Sequence, residues 1–120
     1  MKRISLDRFL NSFRFAFDGV KTLLKEEENY LIHTIAALVV IILGLIYRLS
    51  STEWVSIFVA IGFVMITETL NTSIENIMDY ISTEKKPAIK RIKDLSAAAV
   101  LISAVIASSI GLLVFLPKII

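Results

Sequence analysis

Three stretches of this chain carry no Lys, Arg, Asp or Glu: residues 31–47 (LIHTIAALVVIILGLIY), 54–67 (WVSIFVAIGFVMIT) and 95–117 (LSAAAVLISAVIASSIGLLVFLP). A helix crossing a hydrocarbon layer of about 30 Å needs about 20 mostly apolar residues. The first and third stretches qualify as they stand, whereas the second reaches that length only by continuing through Glu68, Asn71 and Glu75. A chain of 120 residues with 56% apolar and 20% charged side chains also departs from the roughly 45–50% and 25% of a soluble domain. The expectation is an all-α integral membrane protein with three transmembrane helices.

The charges orient it. Of 13 Lys and Arg, six fall in residues 1–25 and five in 85–93, leaving Arg48 and Lys118. Short loops rich in Lys and Arg stay on the cytoplasmic side, so the expected topology has the N-terminus and the 80–94 loop inside, and the C-terminus outside, in a bacterial inner membrane. That distribution also accounts for a net charge of +2 and a pI near 9.0 without nucleic acid as a partner. The absence of cysteine excludes a disulfide scaffold, a thiolate zinc site and a cysteine nucleophile. The opening MKRISLDRF does not resemble a removable signal peptide.

Residues 5–28 form the first expected element. Leu6, Phe9, Phe13, Phe17, Val20 and Leu24 recur every three or four positions, and Asp7, Asn11, Arg14, Asp18, Lys21 and Lys25 share the opposite face. Such a helix beside a span lies in the membrane interface, aromatic side down. Span one follows at 31–49, preceded by Glu26-Glu27-Glu28. Ser50 and Glu53 have the spacing of a capping box, so span two begins at 53 and runs, with a cytoplasmic extension, to 81. Pro87 suits a first helical position, giving a third element over 87–117 that starts in the cytoplasm and becomes span three.

Glu68, Asn71, Glu75 and Asp79 lie 0, 3, 7 and 11 positions along the second helix. At about 100° per residue they fall on one stripe less than a quarter-turn wide. Ionisable residues within a span are functional-site candidates by default, although Glu68 and Asn71 also suit interhelical hydrogen bonding and Asp79 a solvated position. Carboxylates from this stripe and from the 26–28 run suit a hard cation, and Lys90, Arg91 and Lys93 suit phosphate oxygens. Together they are an inventory for phosphoryl transfer to an alcohol dissolved in the membrane.

The residues also carry a family resemblance. The stretch Glu68-Thr69-Leu70-Asn71-Thr72-Ser73-Ile74-Glu75-Asn76-Ile77-Met78-Asp79, followed by Lys93-Asp94-Leu95-Ser96-Ala97-Ala98-Ala99-Val100, resembles the signature of the prokaryotic diacylglycerol kinase family, over nearly the whole chain. The resemblance implies a homotrimer with active sites shared between subunits, using ATP with Mg²⁺. It implies Glu27, within Glu27-x-Asn29-Tyr30-x-Ile32-His33, and Glu75 as the metal-associated carboxylates. By the same resemblance Glu68 is the general base, Asn71 orients it, Lys93 and Asp94 contact nucleotide, and Asp79 supports nucleotide or loop positioning. Arg8 and Arg14 are further phosphate candidates, although anionic lipid alone accounts for bases on an interfacial helix. His33 is read as a packing or interface residue. Leu31 and Phe15 depart from the arginine and tyrosine that relatives often carry, so neither contact transfers.

The NYLIH element and the tail Phe115-Leu116-Pro117-Lys118 resemble the undecaprenol kinases among Gram-positive members of the family. That implies undecaprenol as the lipid-alcohol substrate, with diacylglycerol as the alternative. A different class, a small oligomeric transporter or membrane interaction subunit, would set its acid near the middle of the bilayer. Here the acids descend instead toward the basic side.

Overall fold

Polar caps and one proline set most of the helix boundaries. The computed structural model describes residues 3–120, which form α1 (Leu6–Glu26), α2 (Glu28–Ile46), α3 (Ser51–Ile81) and α4 (Pro87–Ile119). Ser5 caps α1 by accepting from the Arg8 N–H at 3.4 Å. The helix then ends at a single residue, Glu27, whose extended backbone (φ −110°, ψ 104°) separates α1 from α2. The sequence predicts a first helix to 28 and a span from 31; the corner falls instead at Glu27, between helices ending at Glu26 and starting at Glu28, and no Gly or Pro announces it.

The connection between α2 and α3 is equally tight. Arg48 takes a left-handed backbone at φ 52°, a conformation that costs a non-glycine residue about 1–2 kcal/mol. It allows the Leu49 N–H to reach the Gly44 carbonyl at 3.1 Å, the closing bond of a Schellman turn. Ser50 and Glu53 then form the full capping box, with the Glu53 N–H on the Ser50 hydroxyl at 3.2 Å and the Ser50 N–H on the Glu53 carboxylate at 3.0 Å. At the other end of α3, Ser82 is extended and the chain re-enters a helix at Pro87. Pro117 lies inside the last turn of α4 rather than ending it, where a missing N–H leaves only the Leu113 carbonyl without its partner.

Side-chain pairs fix the register. Asp79 with Lys93, Thr67 with Ser103, and Glu53 with Lys118 step in opposite directions along α3 and α4. Gly44 with Trp54 and His33 with Glu68 do the same for α2 and α3. All three long helices are therefore antiparallel to their sequence neighbours. Near Trp54 the core is apolar: Leu49, Ile57 and Phe115 are buried, with Val40, Leu43, Ile61, Ile110 and Val114 packed around them.

Most apolar side chains nonetheless point outward. Leu38, Val39, Ile42, Val59, Phe63, Leu101, Ile102 and Val105 are all at least half exposed, while Glu68, Thr72, Ser96 and Ser103 are buried. The three long helices each have the length and apolarity to cross a membrane, and in lipid an apolar exterior around a polar interior is the stable arrangement. The chain is a multi-pass membrane protein. On α1 the face carrying Phe9, Phe13 and Phe17 is exposed as well, and only Leu23 is buried, as an interfacial helix requires. At 31 and 33 residues, α3 and α4 reach about 46 and 50 Å. Both outrun the hydrocarbon layer, so their Asp79 and Lys93 ends carry polar residues beyond it.

Candidate active site

The polar stripe of α3 is held by a different partner at each level. Deepest is Glu68, only 4% exposed. The one basic side chain within ion-pair distance of it among the described residues is His33 of α2, with Nε2 to Oε1 at 3.1 Å. One level shallower, the Asn71 side-chain N–H donates to Glu75 across a long 3.4 Å contact, and Asn71 Oδ1 is buried with no hydrogen-bond partner. Glu75 is half-buried. At the end of the stripe Asp79 is exposed and receives the Lys93 ammonium at 2.5 Å, joining α3 to α4.

The remaining sequence candidates surround this column. Glu27 is half-buried at the corner between α1 and α2, whereas Glu26 and Glu28 are exposed, so the backbone break distinguishes Glu27 from its neighbours. Asp94, adjacent to Lys93 in sequence, is turned to Lys90 at 2.6 Å within α4. Lys90, Arg91, Asp94 and Leu95 line a shallow cleft with Pro87. Arg8 and Arg14 lie on exposed α1 with no ion-pair partner among the described residues. A cleft of ≈ 390 Å³ between α3 and α4 contains Asn71 together with Leu70, Ile74, Leu95 and Ser96. Thr67 and Ser103 bridge the same helices at 2.8 Å, so the wall behind the stripe is held by hydroxyls rather than charges.

His33, read from the sequence as a packing or interface residue, lies at the interface of α2 with α3, and its partner there is what the sequence did not name. Counting inward from Glu27 brings His33 to nearly the same depth as Glu68 counted inward from Glu75. That arithmetic, with the rarity of an ionisable side chain in a span, was the available signal. The direction His33 faces depends on the rotation of α2 against α3, which no local spacing encodes.

No three His, Asp or Glu side chains among the described residues gather into a self-sufficient metal site. Mg²⁺ does not require one, because it keeps several waters and is usually held by one or two carboxylates together with substrate phosphates. Glu75, with no basic partner among the described residues, and the buried Asn71 oxygen beside it, likewise without a hydrogen-bond partner among them, are donors of the hard-oxygen type that Mg²⁺ takes. The residues present fit the ion.

A helical membrane protein with carboxylates descending into the bilayer beside a basic cluster has the elements of an interfacial phosphotransferase. The pattern of the prokaryotic diacylglycerol kinase family matches residues 14–115, and the chain belongs to that family. It is 43% identical over 116 residues to the undecaprenol kinase of Bacillus subtilis strain 168, covering 97% of this chain and 94% of the relative. It is 28% identical over 116 residues to the diacylglycerol kinase of Haemophilus influenzae, covering 95% and 98%. With the diacylglycerol kinase of Escherichia coli K12 it shares 26% over 100 residues, covering 83% and 82%. Membership makes the chain an ATP-dependent kinase and decides for an enzyme over the transporter or interaction-subunit reading.

Proposed function

We propose that this protein phosphorylates the hydroxyl of undecaprenol at the cytoplasmic face of a bacterial inner membrane, consuming ATP and giving undecaprenyl phosphate. The observation that carries the acceptor is the 43% identity, across almost the full length of both chains, to an undecaprenol kinase. Diacylglycerol is the second reading, supported by the more distant relatives of that name.

In this reading a bound Mg²⁺ would supply positive charge to the ATP phosphates. Glu75 and Glu27 are its protein carboxylates, with Asn71 holding Glu75 in place. Lys93, Asp94 and Asp79 form the nucleotide side of the site: Lys93, braced by Asp79, offers positive charge to phosphate oxygens, and Arg8 and Arg14 extend that field from α1. Glu68 takes the proton of the acceptor hydroxyl. As the oxygen–hydrogen bond breaks, the acceptor oxygen bonds to the γ-phosphorus, the bond between that phosphorus and the bridging oxygen breaks, and ADP leaves with the bonding pair. Burial of Glu68 suits a base that meets its substrate from the lipid side, where a general base needs direct hydrogen-bond reach. The assembly is a homotrimer whose subunits share sites, with N-termini cytoplasmic and C-termini outside.

The test presents undecaprenol and diacylglycerol separately, at equal surface concentration in mixed micelles with MgATP, and compares kcat/KM. A clear preference for undecaprenol is expected, and preference for diacylglycerol would transfer the assignment to the second reading. Tag accessibility in sealed cells checks orientation: a protected C-terminus beside an accessible 85–90 loop would overturn it. Crosslinking of active preparations checks the trimer.

A further inference from the structure

We propose that His33 is the positioning residue of the general base: its Nε2–H holds one oxygen of the Glu68 carboxylate and leaves the other free for the acceptor hydroxyl. This inference rests on the base role given to Glu68 above. His33 Nε2 lies 3.1 Å from Glu68 Oε1, within ion-pair distance; because an ionised carboxylate has no hydrogen to give, the holding role proposed here needs the imidazole hydrogen on Nε2. The Glu68 side chain is 6% exposed, and among the described residues no other side-chain or backbone group hydrogen-bonds or ion-pairs with it. Its orientation therefore depends on one donor from a different helix. A buried charge held by a single partner is strongly dependent on it, and here that partner fixes Oε1 and so determines where Oε2 lies.

The surroundings give the arrangement a direction. His33 is 31% exposed and lines one end of an apolar cleft of ≈ 220 Å³ between α2, α3 and α4, floored by Ala36, Ala37, Ala60 and Ala104. The donor thus adjoins a largely apolar space, with Glu68 one contact behind it. In the step proposed, the hydroxyl proton passes to Glu68 and His33 keeps its own proton throughout. It is a positioning residue rather than a second base.

The experiment compares His33→Leu, His33→Gln and Glu68→Gln in the full-length protein. It measures kcat and KM for MgATP on undecaprenol micelles, after size-exclusion and circular dichroism have shown which variants assemble. Glutamine places an N–H at nearly the reach of imidazole Nε2 without ionising. We expect His33→Leu to lose about tenfold to a hundredfold in kcat, less than the roughly 10²–10⁴-fold that a general base itself contributes, with KM for MgATP unchanged. His33→Gln should stay within about threefold of the parent, because the donor rather than the charge is what matters. Equal losses in an assembled Leu and Gln pair, or a loss confined to KM for MgATP, overturn the proposal. Should His33→Leu fail to assemble, the Gln variant decides alone, and a tenfold or greater fall in its kcat refutes a donor role. Full activity in Glu68→Gln would instead remove the base reading itself, an outcome distinct from either.

Discussion

The two ends of the bundle are built on opposite rules. At the Trp54 end the polar groups that fix the fold are paired: a complete capping box, a Schellman turn closed on Gly44, and Glu53 joined to Lys118 at 3.1 Å. The space between the helices there is filled by Leu49, Ile57 and Phe115. At the carboxylate end, among the described residues, Glu68 has one histidine within ion-pair distance, Asn71 Oδ1 has no partner, and Glu75 accepts one stretched hydrogen bond. A buried acceptor without a partner costs about 1–3 kcal/mol, and burying carboxylates in a span costs more. Helix-to-helix pairing occurs at both ends, since Asp79 and Lys93 also join α3 to α4, but only the stretch from Glu68 to Glu75 leaves its polar groups so sparsely partnered among the described residues.

The largest effect expected from this contrast is in metal chemistry. Glu75→Gln keeps size and the Asn71 contact but removes charge, and turnover should fall by about two to three orders of magnitude, as for loss of one electrostatic stabiliser. Oligomer assembly should survive. Glu27→Gln should behave similarly, whereas exposed Glu28→Gln should remain within about threefold. The check is kcat at saturating MgATP with the Mg²⁺ dependence measured alongside. Losses no greater than that of Ser73→Ala, an exposed hydroxyl on the same helix, would show that the carboxylate end carries no metal.

Next comes Asn71→Ala, which removes both the Glu75 contact and the orphan oxygen. An activity loss of about tenfold to a hundredfold, smaller than for Glu75→Gln, is expected, without loss of stability. Stability could even rise, since an unsatisfied buried acceptor disappears. Thermal unfolding in micelles beside kcat distinguishes this from a packing defect, in which both would fall together.

What could be read in advance follows the same division. The spans were legible because hydrocarbon demands long apolar helices, and Ser50 with Glu53 because a capping box is local and periodic. The Glu68 to Asp79 stripe was legible because one helix fixes the angles among its own residues. The resemblance, rather than the spacing, selected Glu27 among three adjacent acids, and the extended backbone at Glu27 supplies a local difference among them. Cross-helix pairings were hidden: His33 with Glu68 and Lys93 with Asp79 depend on how two helices rotate against each other. Gly44 was equally silent, since nothing in its neighbours announces the indole that covers it.

That glycine supplies the strongest stability test of the Trp54 end. A methyl group there would lie 2.6 Å from the Trp54 ring and 3.0 Å from Leu49, and the rigid indole cannot yield without disturbing its stack on Phe58 at 5.4 Å. Gly44→Ala should destabilise the protein by about 1–3 kcal/mol, the usual range for overpacking. In molecules that remain folded, kcat should stay near the parent value. A normal unfolding curve with impaired turnover would break the contrast between the two ends.

The smallest effect should come from Lys118→Met, at the far end from the chemistry. Lys118 and Glu53 are each 26% exposed along the side chain, and an ion pair that water reaches contributes little to stability. Glu53 also completes the capping box, so Glu53→Ala should cost more than Lys118→Met, because it removes the ion pair and the reciprocal cap together. The difference between the two variants therefore isolates the cap from the ion pair. Raising salt should reduce the Lys118 contribution by screening and leave the cap contribution largely intact. Along α3 the 22 positions separating Glu53 from Glu75 amount to about 33 Å, so neither substitution should alter kcat or KM for MgATP in the folded enzyme. A change in KM for MgATP with Lys118→Met would mean that closing α3 on α4 at the Trp54 end sets the spacing of Lys93 and Asp79 at the other, and the two ends would then be one coupled device.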